Sequence, residues 1–140
     1  MKQTQKLLMM KGLPCSGKTE WAYKWAQSQR NRVRISWTDI MNSIGRKTRE
    51  RRILAIEATV HLMIQSIKSG FDVVLDECNL NPLTFNIFIT RALFLGCQIE
   101  WHNMNKNLDE CKRRNAELGH PVDDMEIEMM YKEWKVWLEE

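Results

Sequence analysis

The sequence predicts an α/β fold with three layers, in which a central parallel sheet of four to five strands lies between helices. The first observation is an alternation along the whole chain. Short apolar segments alternate with longer ones whose apolar residues recur every three or four positions. The second is near the start of the chain, where an apolar run enters a glycine-bounded loop that leads into a helix. Both observations are typical of parallel strands joined by crossover helices.

Each element in the first half of the chain has a local reason. The apolar run at 7–11 predicts the first strand, and residues 17–29 predict the first helix. Residues 32–37 alternate with a period of two, which indicates a second strand. A long amphipathic helix is predicted over 46–69, ending at Gly70. Its apolar positions are Ile53, Ile56, Val60, Met63, Ile64 and Ile67.

The second half of the chain continues the alternation. Residues 71–76 form a short apolar run of the kind that is buried in parallel sheets, and 97–102 resume strand character. Between these strands a helix is predicted over 82–95, because proline is favoured in the first turn of a helix. Two further helices are predicted over 107–118 and 123–138.

The composition fits one soluble globular domain. The chain has 140 residues, of which 44% are hydrophobic and 28% charged, and its formal net charge is +3. No apolar run approaches the roughly 18 residues of a membrane-spanning helix, and the first one is too short for a signal peptide. The four cysteines form no close pair, so neither a zinc site nor a redox motif is indicated. We expect a single domain over 1–140 in the cytoplasm, or in the host cytoplasm if a phage encodes it.

The glycine-bounded loop has the spacing of a phosphate-binding loop. Gly12 and Gly17 frame it, and Lys18 and Thr19 follow. Glycines let the backbone wrap inward, so that N–H groups and the helix N-terminus point at a polyphosphate. Lys18 is expected to reach the β- and γ-phosphates of ATP, and Thr19 to ligate Mg²⁺. The loop residues expected to bind the nucleotide are Gly12, Pro14, Cys15, Ser16, Gly17, Lys18 and Thr19.

Two acidic residues follow predicted strands. Asp76 is expected to organise Mg²⁺, and it is preferred to Glu77 because it directly ends the third strand. Asp39 follows the second strand, so it can either accept the proton of an attacking hydroxyl or cap the next helix. Ligands lie outside the carboxyl ends of the strands in an open parallel sheet. We therefore expect Lys18, Asp39 and Asp76 to face one crevice, with Trp37 lining its acceptor side.

Positive charge is concentrated in two runs. Residues 46–52 carry five cations in seven positions, and 112–114 add three more. Each run alone fits a solvated helix face, whereas two basic runs beside a phosphate site also fit a nucleic acid partner. The charge pattern leaves both interpretations open.

Several segments together resemble the kinase domain of phage-type polynucleotide kinases. They are residues 17–22, the strand-end Asp39, and 76–82 with its Asn-Leu-Asn-Pro sequence. Residues 111–115 look like the lid segment of that family, which carries an Arg-Asn pair. The resemblance spans nearly the whole chain and implies a P-loop kinase fold with a helical lid at about 107–122.

The resemblance also implies roles for individual residues. Lys18 and Thr19 would handle ATP and Mg²⁺, Asp39 would be the general base, Asp76 would support the magnesium site, and Arg114 would lie over the phosphates. Alignment shifted by one residue would pair the family's base with Thr38, which could not act as a base. The residues expected to contact the acceptor are Trp37, Asn42, Arg46 and Asn79.

Two positions depart from the family. Asn42 stands where the family usually has Arg, three residues after the base, and Leu118 replaces a lid Arg. Phosphoryl transfer needs cations around the transferred group, so Arg46, Arg113 or Arg114 substitutes, or the acceptor differs from a plain 5′-hydroxyl end.

The expected function is transfer of the γ-phosphoryl group of ATP, with Mg²⁺, to a hydroxyl of DNA or RNA, first of all a 5′-hydroxyl end. One alternative acceptor is the hydroxymethyl group of a modified pyrimidine in phage DNA. Others are a free nucleoside or small molecule. The chain could instead be a nucleotide-binding module with little catalysis.

Overall fold

The computed structural model describes residues 4–139, so residues 1–3 and 140 of the expected domain lie outside the described residues. The strands are β1 (Lys6–Lys11), β2 (Arg32–Ile35), β3 (Asp72–Leu75) and β4 (Gln98–Asn103). The helices are α1 (Lys18–Gln27), α2 (Trp37–Ser43), α3 (Arg49–Lys68), α4 (Pro82–Phe94), α5 (Leu108–Glu117) and α6 (Asp124–Leu138).

The four strands form one parallel sheet in the order β2-β3-β1-β4. Helix α1 packs on one face of the sheet, where Ala22 meets Leu8 and Met10. Helices α3 and α4 pack on the other face, in a core that contains Leu7 and Met9. Successive residues of β1 thus enter opposite cores, and all four are buried. The predicted three-layer α/β class is confirmed, with four strands.

The connection after β2 differs from the sequence prediction. The predicted strand over 32–37 ends at Ile35, because Ser36 caps the short helix α2 that begins at Trp37. The Ser36 side chain accepts a hydrogen bond from the backbone N–H of Asp39 at 3.2 Å, which is the usual way to satisfy a first-turn donor. Ser36 is therefore the capping residue, and Asp39 lies in the first turn of α2.

The long helix α3 begins three residues later than predicted. Thr48 caps it by accepting a hydrogen bond from the N–H of Arg51, so 46–48 precede the helix. Ile53 was predicted on the apolar face, but it is 49% exposed. Because α3 begins at Arg49, only residues 49–52 of the basic run at 46–52 lie on a helix.

The last two helices pack at the carboxyl ends of the strands. Cys111 of α5 and Ile127 of α6 are buried there with Leu13, which belongs to the glycine-bounded loop. Near the end of α6, the backbone oxygen of Trp137 accepts a hydrogen bond from Lys11 Nζ at 3.0 Å. These contacts hold α5 and α6 beside the loop and close one side of the cleft that lies there.

Candidate functional site

The loop between β1 and α1 curls around the ammonium group of Lys18. Lys18 Nζ is buried and donates hydrogen bonds to the Leu13 carbonyl at 2.7 Å and to Ser16 Oγ at 3.4 Å. Gly17 has φ +93°, which glycine adopts without strain. A Cβ at Gly12 would lie 2.8 Å from Ser16 Oγ, so the tight curl requires glycine there as well. The geometry is that of a phosphate-binding loop, as predicted.

Arg114 of α5 lies against this loop. Its guanidinium is 3.7–3.9 Å from the place that a Cβ of Gly17 would occupy. The Nε atom is buried and has no hydrogen-bond partner among residues 4–139. A buried donor without an acceptor is costly, and a phosphate oxygen would remove that cost. This orphaned donor and the narrow glycine loop fit a nucleotide phosphate.

The neighbouring Asn115 fixes the position of α5. Its amide donates hydrogen bonds to the Val122 carbonyl at 2.6 Å and to the Asp124 carboxylate at 2.9 Å. Its side-chain oxygen accepts a hydrogen bond from the backbone N–H of Val122 at 3.2 Å. Arg114 thus faces the phosphate-binding loop, and the next residue, Asn115, anchors the segment before α6.

The predicted metal residues lie in different surroundings. Thr19 is exposed in the first turn of α1, whereas Asp76 is buried. Within residues 4–139, no group of three or more His, Cys, Asp or Glu side chains is arranged to hold a metal ion. Mg²⁺ is commonly bound through substrate phosphates and water rather than by an all-protein cage.

Arg34 joins the two predicted carboxylates. Its guanidinium contacts Asp76 Oδ2 at 2.7 Å and Asp39 Oδ2 at 2.7 Å. Burial lowers the pKa of Arg34, but the hydrogen bonds that Arg34 donates to Asp39 and Asp76, together with the charges of these carboxylates, outweigh it and raise the pKa overall. The arginine also lies 4.2 Å from the centre of the Tyr23 ring. Asp39 and Asp76 are therefore held by one cation on the α1 side of the sheet.

Glu77 points to the other side of the same strand end. Its Oε2 accepts hydrogen bonds from Ser36 Oγ at 2.9 Å and from the N–H of Thr38 at 3.0 Å. Its Oε1 accepts one from Thr38 Oγ1 at 2.6 Å. Burial raises the pKa of Glu77, although the hydrogen bonds from Thr38 and Ser36 act in the opposite direction. The residues after β3 thus present two carboxylates: Arg34 holds Asp76, whereas Ser36 and Thr38 hold Glu77.

A cleft of about 470 Å³ opens beside the phosphate-binding loop, and we call it the acceptor cleft. The loop contributes Pro14 to its wall. The wall also includes an aromatic ring, a hydroxyl, two cations and a carboxylate, from Trp37, Thr38, Lys47, Arg52 and Glu77. The Arg52 guanidinium lies 5.2 Å from the centre of the Trp37 ring. Helix α6 supplies the opposite wall with Glu126, Met130 and Trp134.

The predicted acceptor residues divide into two groups. Trp37 and Asn79 line the acceptor cleft, whereas Asn42 and Arg46 are exposed and lie outside its lining. Asn79 has φ +51°, and its amide donates to the carbonyls of Met10, Leu75 and Glu77. The cations that reach the cleft are Lys47 and Arg52.

Sequence reasoning missed the pairing of Arg34 and the orientation of Glu77. Asp39 and Asp76 both contact Arg34, and Lys18, Asp39 and Asp76 all lie outside the lining of the acceptor cleft. The sequence contained a signal for this difference: Asp76 and Glu77 are successive residues directly after β3, and the alternation of side chains along the strand, continued past Leu75, predicts opposite directions for them.

The described part of the chain contains no helix long and apolar enough to span a bilayer. No curated protein sequence matches the chain. Several solved structures share its fold.

A chain of the Pnkp1/Rnl/Hen1 RNA repair complex has TM-score 0.83 at 16% identity, covering 99% of this chain and 46% of that chain. This chain therefore spans less than half the length of that relative. The APS kinase CysC of Mycobacterium tuberculosis, in complex with AMPPNP and APS, has TM-score 0.66 at 16% identity, covering 89% and 76%. The tunicamycin resistance protein of Deinococcus radiodurans has TM-score 0.66 at 12% identity, covering 94% and 80%.

These structures show that the fold is that of P-loop kinases. The family model described as an AAA domain, AAA_33, matches residues 7–134. With its phosphate-binding loop inside that match, the chain belongs to the AAA_33 family of AAA domains.

Proposed function

We propose that this protein is an ATP- and Mg²⁺-dependent kinase that transfers the γ-phosphoryl group to a hydroxyl of a nucleic acid, most readily a 5′-hydroxyl end. The observation that carries the proposal is the acceptor cleft, which begins at Pro14 of the phosphate-binding loop. A phosphoryl donor and a hydroxyl acceptor must meet within about 3–3.5 Å before reaction. A cleft that shares a wall with the donor loop supports that arrangement.

The donor half of the site is the loop with the residues around it. Backbone N–H groups of the phosphate-binding loop and the ammonium of Lys18 would bind the phosphates, and Arg114 would donate its orphaned Nε–H to them. Thr19 would hold Mg²⁺ together with phosphate oxygens. When bound, ATP supplies the phosphoryl group and Mg²⁺ neutralises part of its charge. Lys18 and Arg114 place two cations where negative charge spreads in the transition state.

The acceptor half combines groups that suit a nucleotide. An aromatic ring can stack on a base, and cations can hold the phosphates of a strand. Trp37 supplies the ring, and Lys47 and Arg52 supply the cations. These two cations, rather than Arg46 or Asn42, are the ones we assign to the acceptor strand. The Glu126 carboxylate of α6 on the opposite wall could accept hydrogen bonds from the amino groups of a base.

The proposal is tested by offering γ-labelled ATP to the protein with a panel of acceptors. The panel holds single-stranded DNA and RNA with 5′-hydroxyl ends, duplex DNA with hydroxymethylated pyrimidines, and free nucleosides. We expect label on the 5′-hydroxyl strands, and we expect a terminal phosphatase to remove it. Label that resists the phosphatase would instead identify the base hydroxymethyl group as the acceptor.

Lys18→Ala is the control for contamination, because it should lose transfer to every acceptor. Label on free nucleosides alone would overturn the nucleic acid assignment. A small nucleotide acceptor is the second candidate function, since an APS kinase shares this fold, and APS is therefore added to the panel. ATP binding without transfer to any acceptor would support a nucleotide-binding module with little catalysis.

A further inference from the structure

Glu77 is a buried carboxylate that faces the acceptor cleft and has no role in the function proposed so far. We propose that Glu77 is the catalytic residue that takes the proton of the acceptor hydroxyl. The inference rests on the proposed function and identifies the carboxylate that performs one step of it. It assigns this step to the end of β3 instead of to Asp39 after β2.

The hydrogen bonds of Glu77 leave one acceptor position open. An ionised carboxylate has about four lone-pair sites, two on each oxygen. Two donors already approach Oε2, from Ser36 and from the backbone of Thr38. Among residues 4–139, only the Thr38 hydroxyl donates to Oε1. The fourth position therefore belongs to Oε1, and Glu77 is one of the residues that line the cleft.

The two aspartates that follow β2 and β3 are directed elsewhere. Asp39 and Asp76 each place Oδ2 within 2.7 Å of the Arg34 guanidinium. The Asp39 side chain is 54% exposed, whereas a base for this reaction must lie where the acceptor binds. Neither aspartate lines the acceptor cleft. Of the three acidic side chains that follow β2 and β3, Glu77 is the one within reach of an acceptor in the cleft.

Thr38 and Ser36 hold Glu77 in place. Both lie at the start of α2, and three donors from these residues fix the two carboxylate oxygens. A carboxylate held by three hydrogen bonds loses little rotational freedom when an acceptor arrives. The threonine thus positions a carboxylate from the neighbouring strand, although its own hydroxyl cannot act as the base.

The proposed step conserves atoms and charge. The acceptor hydroxyl donates its hydrogen bond to Glu77 Oε1, and its oxygen attacks the γ-phosphorus of ATP. The new oxygen–phosphorus bond forms as the bond between the γ-phosphorus and the β,γ-bridging oxygen breaks. The proton moves to Oε1, ADP leaves with the electron pair of the broken bond, and Glu77 later returns its proton to water.

Single-turnover transfer from γ-labelled ATP to a 5′-hydroxyl single strand tests the step. We expect Glu77→Gln to slow transfer by about 10²- to 10⁴-fold, the usual range for loss of a positioned base. Glu77→Asp keeps a carboxylate and should retain more activity than Glu77→Gln. Affinities for a non-hydrolysable ATP analogue and for the strand, measured by calorimetry, should change less than about threefold in both variants.

Two further variants complete the design. Glu133→Gln, an exposed change of the same type on α6, should transfer at the wild-type rate. Asp39→Asn should slow transfer by no more than about tenfold, because it only loosens a partly exposed ion pair. The inference is overturned if Asp39→Asn abolishes transfer while Glu77→Gln transfers normally. Equal activity of Glu77→Gln and Glu77→Asp, or loss of ATP affinity in both, would overturn it by showing a structural role.

Failure of the inference can be separated from failure of the proposed function. Release of labelled phosphate to water, measured without any acceptor, uses the same donor site with water in place of the alcohol. Wild-type protein that labels no strand but releases phosphate in a Glu77-dependent way contradicts the function and supports the inference. Normal strand labelling by Glu77→Gln contradicts the inference and supports the function.

Discussion

At the scale of the residue, the buried ammonium of Lys18 ties together the phosphate-binding loop. Its two hydrogen-bond acceptors, the Leu13 carbonyl and Ser16 Oγ, are both loop atoms. Phosphate oxygens would compete with these atoms for the same donor. The loop is therefore already folded around the Lys18 ammonium. On nucleotide binding, this ammonium would exchange its protein acceptors for phosphate oxygens.

Replacing Lys18 should weaken the binding of ATP. We expect Lys18→Ala to weaken ATP affinity about a hundredfold, because hydrogen bonds to a charged group contribute about 1.5–3 kcal/mol. Calorimetric titration with ATP and Mg²⁺ measures the change. Lys24→Ala, an exposed lysine on the same helix, should bind as the wild type does. Equal affinities of the two variants would contradict the assignment of Lys18 to the phosphates.

Asn79 combines strain with polar anchoring. It adopts φ +51°, and the two hydrogens of its amide are shared among the carbonyls of Met10 in β1, Leu75 in β3 and Glu77 just after β3. We expect Asn79→Ala to lower the free energy of unfolding by about 3 kcal/mol, measured by urea denaturation. Asn79→Gly loses the same hydrogen bonds without the backbone strain, so it should be about 1 kcal/mol more stable than Asn79→Ala. A more stable Ala variant would contradict this account of the turn.

At the scale of the element, the start of α2 shows what the sequence contains and what it hides. Ser36 and Asp39 are three residues apart, a spacing that signals a helix N-terminus. The alternation of 32–37 favours a longer strand that includes Ser36. That interpretation leaves Asp39, and not Ser36, as the candidate cap of the next helix. A helix of seven residues has too few turns to display a clear apolar period.

Strand β4 and helix α1 meet through an aromatic contact that contains a titratable ring. The His102 ring stacks on Trp21 at 3.8 Å between centroids, and burial lowers the pKa of His102 below its ordinary value of 6.5. A depressed pKa means that the folded state resists protonation. The stability is thus complete above about pH 6.5 and is lost as the pH falls through the lower, folded-state pKa.

We therefore expect the wild type to lose more stability than His102→Phe between about pH 7 and pH 5. Phenylalanine keeps a ring beside Trp21 and removes the titrating group. The free energy of unfolding, measured by urea denaturation at several pH values, gives the comparison. Parallel curves for the two proteins would show that His102 does not contribute to acid sensitivity.

At the scale of the whole molecule, sequence patterns predicted the class of fold and could not predict which residues Asp39, Asp76 and Glu77 contact. The period of each segment specifies a strand or a helix, but the neighbour of each strand depends on packing of the complete chain. Strand β2 lies beside β3, with Arg34 in register with Val74. That adjacency lets one arginine hold Asp39 and Asp76. The direction of Glu77 likewise follows from the position of its strand in the sheet.

The distribution of charge gives a further prediction for the whole molecule. A protein that neutralises phosphates releases counterions, so its affinity for a single strand falls as salt rises, with a log–log slope of about −0.7 for each phosphate contacted. Net charge is only +3, so the slope should come from the cations of the acceptor cleft rather than from the overall charge. Lys47 and Arg52 are those cations.

We expect Lys47→Ala and Arg52→Ala each to make the salt slope for a 5′-hydroxyl single strand shallower by roughly 0.7, and together by about twice that. Fluorescence anisotropy of a labelled strand over a series of salt concentrations measures the slope. Lys132→Ala, which removes an exposed cation from α6 outside the cleft lining, should keep the wild-type slope. If Lys132→Ala makes the slope shallower by as much as Arg52→Ala does, the nucleic acid is held by diffuse charge and the acceptor cleft is not its binding site.

The wild-type slope is itself a test. If this slope is near zero, the acceptor carries no phosphates that the protein contacts, and a small neutral acceptor is favoured instead.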